Sequence, residues 1–108
     1  MTKGTTLYRA PTPLEKEHAE TLKEWQEATP RLLKFHVLQE GENIASCELF
    51  LRKDVYGSFV ATFKVVVKRA NGKMESFEAP ATKATLTRAI DRARRVLMAR
   101  IGGLTNYR

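Results

Sequence analysis

Apolar and polar positions along the chain follow two different periods. Near the end of the chain the period is helical. At about 100° per residue, Leu86, Ile90, Ala93, Leu97 and Ile101 fall on one stripe, and Arg88, Arg92 and Arg95 fall together on the opposite side. A helix over residues 83–101 is predicted, with Thr82 or Thr85 as its cap and Gly102-Gly103 as its stop. A second helix starts at Thr12-Pro13-Leu14-Glu15. A threonine cap followed three residues later by glutamate is a capping box, and proline suits the first helical position. Leu14, His18, Leu22, Trp25 and Ala28 share a face. The helix is expected to end at Thr29-Pro30, because a residue before proline avoids helical backbone.

Between these helices the alternation is of period two. Residues 31–39 read as a strand with Leu33, Phe35 and Val37 on one face and Lys34 and His36 on the other. Residues 44–53 follow the turn at Glu40-Gly41-Glu42-Asn43. There Ala45, Cys47, Leu49 and Leu51 oppose Ile44, Ser46, Glu48, Phe50 and Arg52. After the connection Asp54-Val55-Tyr56-Gly57 comes the longest strand, residues 58–69. It places Phe59, Ala61, Phe63, Val65 and Val67 inward and Val60, Thr62, Lys64, Val66 and Lys68 outward. Asn71-Gly72 is a two-residue hairpin signal. That register sets Lys68 opposite Glu75 and Val66 opposite Phe77, in a fourth strand over residues 73–79 that Pro80 ends.

The predicted fold is α+β, in the order α-β-β-β-β-α. A four-stranded antiparallel meander sheet carries an N-terminal and a C-terminal helix on one face. Residues 1–108 form one domain, with flexible tails at 1–11 and 104–108; Thr5 to Arg9 as a short extra strand is the alternative to the first tail. This order, with a basic last helix, resembles that of double-stranded-RNA-binding domains and of the ribosome-associated hibernation-promoting factors. The resemblance spans residues 42–101 and lies in element order. Thr82-Lys83-Ala84 echoes the basic helix start of the first family, whose Gly-Pro-His loop is missing from residues 54–57. The second family begins with a strand. No functional residue is carried over from either.

Charge sharpens this picture. The formal net charge is +7, and a basic balance favours phosphates or acidic surfaces as partners. The surplus is local: residues 81–108 hold seven basic side chains against Asp91 alone. The first helix is acidic, with Glu15, Glu17, Glu20, Glu24 and Glu27 against Lys16 and Lys23. Arg88, Arg92 and Arg95 are therefore the first candidates for nucleic-acid contact, since guanidinium groups make bidentate phosphate bonds. Lys64 and Lys68 are secondary candidates. The same arginines could instead be a solvated face, or pair with the acidic helix of their own chain. The outward sheet face offers another surface. Val60, Val66, Phe77 and Phe50 would form a patch there, suited to a homodimer or a protein partner.

Catalytic chemistry has little to stand on. His18 lies on an apolar helix face, and Cys47 alternates with core residues as an inert thiol. Two histidines and one cysteine over three elements make no metal site. The glycine pairs are explained by turns and caps rather than by a phosphate loop. A non-enzymatic binding domain is expected, with no cofactor and no small-molecule substrate. A single cysteine, no secretion leader and no apolar run of membrane-spanning length point to a cytoplasmic protein without a membrane.

Overall fold

A computed structural model describes residues 10–103. Its elements are α1 (Pro13–Glu17), α2 (Ala19–His36), β1 (Asn43–Lys53), β2 (Phe59–Lys68), β3 (Met74–Lys83) and α3 (Leu86–Gly102). The fold is α+β: a three-stranded antiparallel sheet in the order β1-β2-β3, open at both edges, with the helices on one face. The alternative strand at Thr5 to Arg9 lies outside the described residues.

The expected first strand is helix. Residues 31–36 continue α2 through Pro30. Helical spacing explains why: Leu22, Thr29 and Leu33 line one buried stripe, whereas Phe35, which alternation would place beside Leu33, is 82% exposed. Proline inside a helix costs one backbone bond and about 3 kcal/mol; fully burying Leu33 against the sheet offsets much of that. The helix start is as the sequence reads, with both halves of the Thr12–Glu15 capping box formed. One turn later the helix breaks at His18, so two helices replace the single predicted one.

Register supplies the second correction. In the β2–β3 hairpin, Lys68 pairs with Met74 and Val65 with Phe77. The loop is the three-residue form rather than the two-residue form. Arg69 N–H donates to Lys73 O, Gly72 N–H donates to Arg69 O, and Gly72 has φ +88°. A one-residue slip moves every side chain of β3 to the other face. Phe77 therefore packs against the core under the helices instead of on the open sheet face. The strand also runs through Pro80 to Lys83, which an edge strand tolerates. In β1 an irregularity between Ile44 and Ser46 leaves Ala45 exposed and returns Ile44 to the core face, opposite Val67.

Phe63, Val65 and Val67 of β2, Leu49 and Leu51 of β1 and Ala79 of β3 meet Leu22 and Leu33 of α2 and Ala89, Ile90, Ala93, Leu97 and Ile101 of α3. Helices α1 and α2 pack on β1, and α3 packs on β2 and β3. Side chains cover both open edges. Along β1, Leu49 N–H donates to Gln26 Oε1 at 2.7 Å and Leu51 N–H donates to Glu15 Oε2 at 2.8 Å. On β3, Arg100 Nη1 donates to the Glu78 carbonyl. An edge so capped cannot recruit another strand at those groups.

Candidate nucleic-acid interface

Helix α3 sorts its basic residues by angle around its axis. The face at Ala89, Ile90, Ala93 and Leu97 is fully buried, so the opposite face looks away from the sheet. Arg88, Arg92 and Arg95 lie there, and all three are exposed. Arg88 and Arg92 have no hydrogen bond or ion pair among the described residues. Arg95 Nε binds Asp91 Oδ2 at 3.0 Å, one turn back.

The remaining arginines of the helix are occupied. Arg94 lies on its flank with the guanidinium 4.5 Å from the Trp25 ring centroid, and its Nη2 is 3.5 Å from Asp91 Oδ1. Arg100 caps β3. Arg108 lies outside the described residues. The acidic helix is not seen to absorb the stripe: none of the ion pairs shown among the described residues joins α1 or α2 to α3, and Trp25 of α2 meets Arg94 rather than an outward arginine. Glu15 faces β1, while Glu20, Glu24 and Glu27 are exposed.

Lys64 and Lys68 belong to a different surface. Both are on the open side of the sheet, away from the helices and from the arginine stripe. Glu48 and Glu78 flank Lys64 on the neighbouring strands, and its ammonium lies 5.9 Å from the Phe50 ring centroid. Lys68 sits between Asn43 and Met74. Val60, Val66 and Phe50 share this open face, with Val60 buried and the other two partly so. Phe77 is not with them. The apolar patch is thus smaller than the sequence suggested, and two acids are the strand neighbours of Lys64.

Three further features stand out in the structure, two of them not singled out from the sequence. The first is a charge cluster at the far end of the helix layer. Arg69 binds Glu42 Oε2 at 3.0 Å and Glu75 Oε1, and lies 5.6 Å from the Phe77 ring centroid. The Gln39 N–H donating to Glu42 at 2.8 Å, helped by Arg69, holds the Glu42 carboxyl below its usual range against the opposing effect of burial. Arg69 in turn is held more firmly protonated, first by Glu75. The second is Lys83, which the sequence placed at the start of the last helix and which the structure places exposed at the end of β3, three residues before α3 begins. The third is the β1–β2 loop, where Val55 and Tyr56 are 92% and 89% exposed. A signal for it existed: two large apolar residues stand where turn chemistry favours polar ones.

The titratable candidates sit in structural settings. His18 packs edge-on against Phe59, with centroids 6.1 Å apart. Cys47 is half-buried, and burial, with the nearby Glu48 charge, pushes its thiol up to about 11. A thiol so shifted is overwhelmingly protonated at neutral pH and a poor nucleophile. Among the described residues no cluster of three His, Cys, Asp or Glu side chains could hold a metal ion. No helix among them is long and apolar enough to cross a membrane.

No protein-family model, curated protein or solved structure matches the chain. The functional reading therefore rests on the geometry.

Proposed function

We propose that this protein is a non-enzymatic nucleic-acid-binding domain that holds phosphates on the outward face of α3. Arg88 and Arg92 make the contacts, and Arg95 joins them from its ion pair with Asp91. One observation carries the reading. Arg88 and Arg92 are exposed and unclaimed, and Arg95 beside them is held only by Asp91 one turn back, on a helix whose other described arginines are each used within the fold. An acidic helix lies in the same layer and leaves them alone. Residues i and i+4 on a helix are about 6 Å apart, a spacing that lets neighbouring side chains reach successive phosphates. Lys64 and Lys68, on the opposite side of the sheet, could not share one strand's backbone with the stripe. They would serve a second, weaker surface.

Binding of this kind is driven by counterion release and falls linearly in log–log coordinates with salt. Fluorescence anisotropy with generic DNA and RNA oligonucleotides between 50 and 200 mM salt (about a physiological range) tests it. The wild type should bind both nucleic acids with a negative salt slope. The triple variant R88A/R92A/R95A should lose about tenfold or more in affinity at low salt. Absent binding, or binding equal in the variant, would sink the reading.

A further inference from the structure

The two hairpins of the sheet are built alike and tipped differently. In the β2–β3 hairpin the loop is Ala70-Asn71-Gly72, and in the β1–β2 hairpin it is Val55-Tyr56-Gly57. Each closes with a bond across the loop: Arg69 N–H to Lys73 O at 2.8 Å, and Asp54 N–H to Ser58 O at 3.0 Å. Each then turns through a left-handed glycine, at φ +88° and +83°. Each has a carboxylate or amide oxygen that accepts backbone N–H groups of the turn: Asn71 Oδ1 takes Lys73, and Asp54 Oδ1 takes both Tyr56 and Ser58 at 2.9 Å. The first hairpin shows that this turn needs no large apolar side chains. Val55 and Tyr56 nevertheless leave about nine-tenths of their surface in water. The fold does not explain them.

Their position does suggest a use. The last row of the sheet before the tip is Lys53–Phe59–Lys83. Lys53 Nζ lies 4.9 Å from the Phe59 ring centroid, and Lys83 leads into α3. Arg88, where the outward stripe begins, follows in the first turn of α3. One further pair, Asp54 and Ser58, separates this row from the three-residue turn at the tip. Of the acids here, Asp54 is engaged by its own turn and Glu17 lies 3.9 Å from His18 Nε2. The tip, Lys53, Lys83 and Arg88 therefore occupy one end of the molecule, with basic groups at the same end as an aromatic side chain that is largely in water.

We infer that Tyr56, with Val55 beside it, is a stacking platform for an unpaired base of the nucleic acid whose phosphates meet Lys53, Lys83 and Arg88. The inference rests on the phosphate-binding reading of α3 and adds the class of ligand. Every base has a π-face, so stacking needs no sequence. In a duplex those faces are covered by neighbouring base pairs. The ring therefore contributes only where bases are single-stranded or unpaired. The turn's hydrogen bonds hold the tip before binding, so little loop entropy is lost on contact.

The test compares a single-stranded oligonucleotide with its blunt duplex, at one low salt concentration, for the wild type, Y56A, Y56F and R88A/R92A. Tyr56 is exposed, so neither of its substitutions threatens the fold. Y56A should weaken single-strand binding about tenfold, the scale of one base stack, and leave duplex binding within about twofold. Y56F, which keeps the ring, should match the wild type. Y56A equal to wild type on the single strand, with R88A/R92A weakened, would overturn the platform and leave the arginine reading standing; the tip would then be assigned to a protein partner. An equal loss on both substrates would also overturn it. Failure of the wild type to bind either substrate would remove both readings together.

Discussion

Helices α2 and α3 cover the same sheet face, yet they use their polar groups in opposite ways. In α1 and α2 the decisive polar side chains turn inward. Glu15 and Gln26 bond backbone N–H groups on the outer edge of β1, and the glutamates left over are exposed. In α3 the inward polar work falls to Arg94 on Trp25 and Arg100 on β3, while Arg88 and Arg92 point out with no hydrogen bond or ion pair among the described residues and Arg95 holds only Asp91. Charge on a helix is therefore informative only after the groups that serve the fold have been subtracted. The net charge of +7 overstates what is free to bind a partner, and the arginines left over are the candidates for the proposed interface.

The largest test of this contrast concerns what the helices share. Leu33 and Leu97 are both fully buried. L33A and L97A should each cost about 2–5 kcal/mol in denaturant unfolding. A neutral L33A would return residues 31–36 to the strand that alternation suggested and break the comparison at its start.

Next in size is the edge capping of β1. E15A leaves the Thr12 and Leu51 N–H groups without their acceptor and should destabilise by about 2–3 kcal/mol. Q26A removes the acceptor from the Leu49 N–H alone and should cost about 1–2 kcal/mol. If both are silent, the acidic helix does no edge work, and its charge is as unassigned as that of α3.

A pH series sharpens the comparison at the other end of the layer. The folded-state pKa of Glu42 is depressed, so its stabilising contribution is full above the ordinary carboxylate value of about 4.3 and is lost as pH falls through the folded value. The wild-type melting temperature should therefore fall through this acid window. E42Q should melt lower at pH 7 and show a flatter acid decline. Parallel curves for the two proteins would show that Arg69 and Gln39 do not stabilise the charged form.

Much of this was legible in the sequence, and the failures have separate physical causes. The stripe Leu86, Ile90, Ala93, Leu97 and Ile101 is long and strongly periodic, and every member packs as read. The capping box at Thr12 was equally clear, because its two bonds are local. Residues 31–39 failed because a short apolar run fits both periods, and Pro30 argued for a break that tertiary burial of Leu33 overrode. Phe77 failed through one residue of loop length: Asn71-Gly72 fits a two-residue turn and the three-residue loop that formed. Ile44 failed through an irregularity that alternation cannot express. The edge bonds of Glu15 and Gln26 link residues 36 and 23 positions apart, beyond any local pattern. For the candidate site, the sequence placed Arg88, Arg92 and Arg95 on one side of the helix. It could not say that Arg94 would be claimed by Trp25, or that Lys64 would be hemmed in by Glu48 and Glu78.

The smallest stability effects test the central claim most directly, as a crossed pair of salt titrations. R94A should lose about 1 kcal/mol of stability with its ring contact and keep the wild-type salt slope for single-stranded oligonucleotide binding. R88A/R92A should unfold within about 0.5 kcal/mol of the wild type, and its slope should be shallower by about 1.4, the share of two phosphate contacts. Equal slopes for R88A/R92A and the wild type, or a slope lost in R94A instead, would contradict the assignment of the outward arginines to phosphate.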